Sequence, residues 1–530
     1  MQKRVLKSYS LARVGCAAVC ILLAAALGCG CAAPGTVQPP ASSAPVQQTS
    51  LYDSSILEDG RLRLLSDLNG SNGSTILCGG KVLYQGSRSE SLSLVPDKLT
   101  GSIDHYWRCW SDPTMPGSRS SALYDKTGTP LLFFDEDLTA ERFGELLVLQ
   151  HAPSFDGVYD TYGSCRVVEL ATGRELPVPE NAYRCVVVGE FLVFNCYTRP
   201  DDLPADAYDE DSFYHTSAVV TDLDGTALLE VPHCLVSDLY DLSPLGADWV
   251  QLELYEPDYR RVDSVLYAPA TGEWISGYNQ LCGEELFCLS TENGYQVIDF
   301  SDSTRPVLGT FEAPVQVFAP GIAVLWHSAD GEYFYELHDL STGEVYRLRD
   351  YAAGEDHIAA YLPDKTLRLY DRRTGELLFT TLLDDFEPEN TYLYFEADEL
   401  LRVSNYTSSE RSRYYTASGT VSALETAFET YDTIYPLTTD ADGTVFYWAR
   451  RTAPGGAGSL LDVIDGQGKV HIRSLANCYS FYGNAEQLPP GIFIAQKGFY
   501  YGWMDTTGQW VYCRSIFSSL PAEEGSSYYY

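Results

Sequence analysis

The chain has 530 residues but only 3 Met and 8 His, against 39 Tyr and 21 Phe. After residue 50 no stretch repeats apolar residues at i, i+3, i+4 and i+7 over several turns, so a helical bundle is excluded. Cationic residues are scarce: 35 Lys and Arg stand against 73 Asp and Glu, for a formal net charge of −38. Such a surface repels phosphate, which argues against a nucleic-acid partner and against electrostatic adhesion to anionic lipid. Any membrane attachment has to be covalent or hydrophobic. The simplest consequence of the acidity is solubility and a monomeric state.

Motifs for chemistry are missing as well. There is no Gly-x-Ser-x-Gly elbow, no His-Glu-x-x-His, no Walker-type Gly-Lys-Ser/Thr loop and no Gly-x-Gly-x-x-Gly after a strand. His105, His151, His215, His233, His327, His338, His357 and His471 are scattered, and no two stand at a metal-ligand spacing. Of the 14 cysteines, Cys78, Cys109, Cys165, Cys185, Cys196, Cys234, Cys282, Cys288, Cys478 and Cys513 lie beyond the N-terminal region. None forms Cys-x-x-Cys, which excludes a zinc ribbon and a thioredoxin-like redox pair. An even number in an exported chain permits disulfides, but several sit inside apolar strand-like runs, where a thiol behaves as a small hydrophobe; mostly free, buried thiols are therefore expected. No catalytic residue and no cofactor site emerges.

One segment is pointed enough to test as a metal site. Residues 199–215 crowd Asp201, Asp202, Asp206, Asp209, Glu210 and Asp211 together. Packed carboxylates repel unless a cation or solvent screens them, and Ca²⁺ prefers several oxygen ligands. Asp206, Asp209 and Asp211 are its candidate ligands. The segment lacks the alternation and glycine of an EF-hand, so a solvated loop is the simpler reading. Asp222-Leu-Asp224-Gly225 and Asp440-Ala-Asp442-Gly443 likewise read as hairpin turns.

The N-terminus carries a recognisable arrangement. Lys3, Arg4, Lys7 and Arg13 precede an uncharged apolar run over 14–27. At about 14 residues it is too short to span a bilayer as a helix. A basic segment, a short apolar run and small residues at its end read as a secretory signal peptide over 1–28. The end, Ala26-Leu27-Gly28-Cys29, resembles a bacterial lipobox, with Cys31 the other candidate. The resemblance implies that Cys29 is lipidated and becomes the new N-terminus. Residues 29–50 are rich in Pro, Ser, Ala and Gln and nearly free of charge, the composition of a disordered tether. The chain is thus expected to be extracytoplasmic and lipid-anchored in a bacterial envelope.

From residue 51 to about 520 one unit dominates, followed by a short tail at 521–530. In residues 367–385 an alternating run meets a polar turn closed by Gly375, and a second apolar run follows. Strands favour large apolar and β-branched residues, and glycine supplies the positive φ of a tight turn. Variants of the turn end at Gly128, Gly173, Gly225, Gly272, Gly343, Gly419, Gly468 and Gly508, with a degenerate copy around 301–305. Spacings of roughly 40–50 residues, with three or four strands in each, mark a β-propeller. The fold class is all-β, a single propeller of eight blades, with seven or nine as alternatives because Gly343 and Gly375 stand close together. Residues 185–194 read as a two-residue hairpin around Gly189-Glu190. Ring closure is expected between 51–100 and 490–520.

The Asp-x-x-Thr-Gly turn between apolar strands, at 371–375 and 339–343, resembles the repeat of PQQ-like propellers, and 498–511 is similar to a WG-type β repeat. Where PQQ-like blades carry a docking Trp after the Gly, this chain has Phe379 or Tyr346. Both resemblances imply an architecture rather than an activity. The expected function is a non-enzymatic binding or scaffold platform for an envelope protein or glycan. The alternative is an envelope enzyme acting on glycans or peptidoglycan through loops at the propeller entrance. A third possibility is an assembly role like that of the propeller lipoprotein of the outer-membrane β-barrel machinery.

Overall fold

A computed structural model describes residues 57–515, apart from intervening segments of which the longest are 67–72, 112–118, 198–215, 240–246, 406–411, most of 420–429, and 480–487. The leader, Cys29, the tether, the C-terminal tail, and Asp206, Asp209 and Asp211 lie outside the described residues. Among the described residues there is no α-helix, and no helix is long and apolar enough to cross a membrane.

Among the described residues the strands form eleven consecutive antiparallel sheets of three or four strands, each using neighbouring segments in chain order, and one two-stranded sheet of Ser154–Phe155 and Asp160–Thr161. These blades span 62–85, 90–134, 138–169, 182–232, 234–275, 278–311, 315–348, 350–382, 391–415, 433–475 and 477–515. Blades 1, 3 and 9 have three strands in the main sheet, and the other eight have four. The first strands of consecutive blades touch: Gln280 Nε2 donates to Val315 O at 2.6 Å, and Leu393 N donates to Asp350 Oδ2 at 2.7 Å. First strands therefore lie innermost and fourth strands at the rim.

Packing explains why the middle strands read as continuous apolar runs. Side chains alternate between the two faces of a strand, and here both faces are covered. Along Phe191–Tyr197, Leu192, Phe194 and Cys196 pack towards blade 3, while Val193 packs with Val186, Val188 and the first strands of blade 5. Each such buried side chain contributes roughly 1.5–3 kcal/mol. Eleven apolar clusters of this kind each join one blade to the next. The one that closes the ring joins Leu57, Leu65 and Leu77 to Ile492, Ile494, Tyr501, Trp503 and Val511. Contact between the two ends of the body, expected from the sequence, is thus present.

The local hairpins match their sequence expectations. Ala182–Val188 pairs with Phe191–Tyr197 through Val188 and Phe191, with Gly189 at φ +60. Thr366–Asp371 and Leu377–Leu382 are the third and fourth strands of blade 8. Phe379 packs on Tyr415 of blade 9 at 6.1 Å, and Tyr346 packs among the residues that join blades 7 and 8.

The expectation of eight blades, or seven or nine, is corrected to eleven. The nine turn glycines and the degenerate copy at 301–305 each serve a separate blade, from the second to the eleventh. In blade 6 that copy makes the turn without glycine: Asp302 Oδ1 accepts from Thr304 N at 2.8 Å, and Arg305 itself adopts φ +48. Blade 1 places its glycines, Gly79 and Gly80, between its second and third strands. Gly343 and Gly375 serve separate blades. They are close in sequence because the connections within blade 8, at 354–356 and 362–365, are short.

Candidate metal centre on the seventh blade

Most buried polar side chains have a structural task set by the architecture. An innermost strand has one free edge, and its backbone groups need partners wherever the next blade covers them. Trp107 Nε1 donates to Leu138 O at 2.7 Å, from blade 2 to blade 3. The Asn195 side chain bridges to blade 5, donating to Cys234 O at 3.2 Å and accepting from Val236 N at 3.1 Å. Tyr414 Oη donates to Ile434 O at 2.8 Å, between blades 9 and 10. Within blade 10, fully buried Asp462 accepts from Arg451 Nε at 2.9 Å, Tyr431 Oη at 3.0 Å and Ser474 N at 2.8 Å. Burial pushes the Asp462 carboxyl up, but the bonds from Arg451, Ser474 N and Tyr431 together outweigh it and hold it below its usual range.

The aspartates of the repeated turns are likewise structural. Asp222 Oδ1 accepts from Asp224 N at 3.0 Å and Thr226 N at 2.8 Å, with Gly225 at φ +82. Asp442 Oδ1 accepts from Thr444 N at 2.9 Å. Both calcium-like sequences are hairpin turns. The cysteines beyond the N-terminal region are free, and all are buried but the half-buried Cys78. Burial pushes the Cys109, Cys196 and Cys234 thiols up to about 12, so they are poor nucleophiles and redox ligands at neutral pH.

One constellation falls outside these tasks. In blade 7 the second strand, Ile322–Ala329, pairs with the third, Glu332–Asp339, so that Ala323 faces His338, Leu325 faces Glu336 and His327 faces Phe334. Directly opposed residues share a face, and so do residues two apart along a strand. His327, Glu336 and His338 therefore stand on one side of the sheet, the side on which Ala323 and Leu325 pack against blade 6. Glu336 Oε2 is 3.1 Å from His327 Nε2 and 3.3 Å from His338 Nε2. One ligand atom from each of the three lies within 4.8 Å of the others.

Neighbours restrict this face. The His327 ring stacks on Phe334 at 5.1 Å and 6°. The Arg347 guanidinium lies 4.3 Å from the centroid of the same Phe334 ring, and Arg347 Nη2 pairs with Glu332 at 3.3 Å. The three side chains are only 16%, 23% and 20% exposed for His327, Glu336 and His338. The His338 contact is a hydrogen bond, whereas His327 Nε2, although buried, makes none.

Sequence spacing alone pairs no two histidines, but the fold brings His327 and His338 to one carboxylate, Glu336. The signal that was available is the alternation Glu336-x-His338 on a strand whose hairpin partner carries His327. The candidates drawn from sequence, Asp206, Asp209 and Asp211, lie outside the described residues.

Residues 266–524 match a family described as a domain of unknown function, DUF5046. No curated protein matches the chain. The chain is similar to AztD from Citrobacter koseri, at 14% identity over 57% of this chain and 90% of that one, with a TM-score of 0.24. BamB from Moraxella catarrhalis matches at 9% identity over 68% and 96% of the two chains, with a TM-score of 0.25. Sqt1 from Saccharomyces cerevisiae matches at 12% identity over 73% and 96%, also with a TM-score of 0.25. The propeller assignment rests on sheet order and ring closure, not on these likenesses.

Proposed function

We propose that the chain is a lipid-anchored, extracytoplasmic envelope protein whose propeller is a non-enzymatic platform for a protein partner. The binding role rests on the rim. Exposed large apolar side chains recur on the fourth strands: Leu131 in blade 2, Leu228 in blade 4, Trp274 in blade 5, Val307 in blade 6, Val345 in blade 7 and Leu382 in blade 8. A single exposed apolar residue is unremarkable, but the recurrence places apolar surface on strands whose outer edges have no further strand beside them. A free edge with its own apolar side chains suits an added strand or an apolar protein surface. Anchorage is supported by the apolar run at 14–27, by Ala26-Leu27-Gly28-Cys29 and by the uncharged stretch that follows. Several acyl chains hold a protein far more firmly than one.

Two measurements test the two halves of this reading. Cys29→Ala is expected to abolish metabolic lipid labelling and to release the protein or leave it unprocessed; unchanged labelling shifts the anchor to Cys31. A photo-crosslinking residue at Val345 or Leu382, in cells, is expected to give a discrete product that is absent when it replaces Lys126 in an exposed turn. Equal products from rim and turn would remove the rim from the binding role.

A further inference from the structure

We infer that His327, Glu336 and His338 bind one divalent transition-metal ion, with zinc favoured by the donor set. The inference is independent of the anchor and of the rim. Zinc takes imidazole nitrogen at about 2.0–2.1 Å and carboxylate oxygen at about 2.0–2.2 Å, usually with tetrahedral geometry, so its ligand atoms stand roughly 3.3 Å apart. The two Glu–His separations here, 3.1 and 3.3 Å, already match that edge. The remaining imidazole–imidazole separation, no more than 4.8 Å, closes to it by small side-chain rotations.

The metal-free alternative is a pair of histidines hydrogen-bonded to one carboxylate, and the geometry serves it poorly. Both Nε2 atoms converge on the same oxygen, Oε2, and only His338 is aligned to donate to it. His327 Nε2 is buried beside that oxygen without a hydrogen bond, although burying an imidazole nitrogen unpaired is costly. An ion at the point shared by the three ligand atoms satisfies all of them together. Two imidazoles and one carboxylate also select the metal class. Ca²⁺ and Mg²⁺ require many oxygen donors, and this face supplies a single carboxylate.

The platform is suited to holding such an ion. All three ligands come from adjacent strands with an uninterrupted register, and the His327 ring is fixed by its stack on Phe334. With three protein ligands the fourth position is left for water or for a donor group on a bound molecule. The strongly acidic surface raises the local concentration of any cation.

The test uses the purified chain, stripped with a chelator and titrated with Zn²⁺ in competition with a chromophoric chelator, and separately with Co²⁺ followed by its ligand-field absorption. The expectation is one tight equivalent that survives excess Ca²⁺ and Mg²⁺. Glu336→Gln and the double variant His327→Ala/His338→Ala should weaken it more than tenfold and abolish the Co²⁺ spectrum. His471→Ala, whose ring pairs with Asp465 at 2.8 Å in blade 10, should retain it. Circular dichroism and thermal melting of each metal-free variant separate loss of the site from loss of the fold. No tight equivalent in the parent chain, an equivalent undiminished in folded variants, or displacement by Ca²⁺ would each overturn the assignment.

Discussion

Arg514 Nη1 donates to Thr75 Oγ1 at 3.0 Å, joining the last strand of the propeller to the second strand of the first blade. The same guanidinium reaches Gly73 O and Tyr501 Oη and lies 4.8 Å over the Tyr501 ring. Among the described residues no strand is shared between blades 1 and 11, and this polar contact and the apolar cluster around Trp503 help to close the ring. A buried charge-assisted contact of this kind is lost at greater cost than an exposed one, because the acceptors left behind are desolvated.

Arg514→Leu is therefore expected to destabilise the protein by roughly 2–3 kcal/mol. The effect should centre on the seam, with faster amide hydrogen exchange in Leu62–Leu65 and Thr75–Cys78 than in blades 5 to 7. Arg61→Ala removes an exposed pair with Asp59 and should change stability little. Urea denaturation compares the two, and equal midpoints would show that the seam does not depend on Arg514.

Asp350 offers a pH test. Burial against blade 9 pushes its carboxyl up to about 6, while the bond from Leu393 N opposes the rise. The folded state thus prefers the protonated form more than the unfolded chain does. Its contribution to stability is fully present below the ordinary carboxylate value of about 4 and is lost as pH rises through 6. Asp350→Asn keeps an acceptor for Leu393 N without the charge. It should melt higher than the parent above pH 6, with the difference closing towards pH 4. A difference constant across that window would reject the account.

The glycines of the repeated turn are not equivalent. Gly343 and Gly375 both adopt positive φ, at +76 and +71. Around Gly343 an added Cβ meets nothing within 4 Å, whereas at Gly375 it would lie 1.7 Å from Pro320 O, in the turn between the first two strands of blade 7. Gly343→Ala should cost about 1 kcal/mol, from backbone conformation alone. Gly375→Ala should cost well beyond that, roughly 2–4 kcal/mol, because backbone from two blades must separate. Denaturant midpoints for the pair provide the comparison, and equal losses would mean that the blade 7 contact yields freely.

Much of the architecture is legible without coordinates because it is local. A two-residue turn with glycine at positive φ fixes a hairpin, as at Gly189, and Asp371 caps its own turn by accepting from Arg373 N and Thr374 N at 2.9 and 2.8 Å. Those bonds span two or three residues, so the turn announces itself in the sequence, and so does the pairing of the strands on either side. The number of blades is not legible in the same way, because blade 1 lacks the repeated turn and Gly343 and Gly375, only 32 residues apart, serve separate blades.

What the chain determines by itself is the strand, the hairpin and the repeated turn, through backbone sterics and alternating burial. The tertiary structure alone decides how many blades close the ring, that Arg514 meets Thr75, and that His327 and His338 face one carboxylate. Those outcomes depend on cross-strand register and on the docking of one sheet against the next, which join residues whose sequence separation follows no fixed spacing.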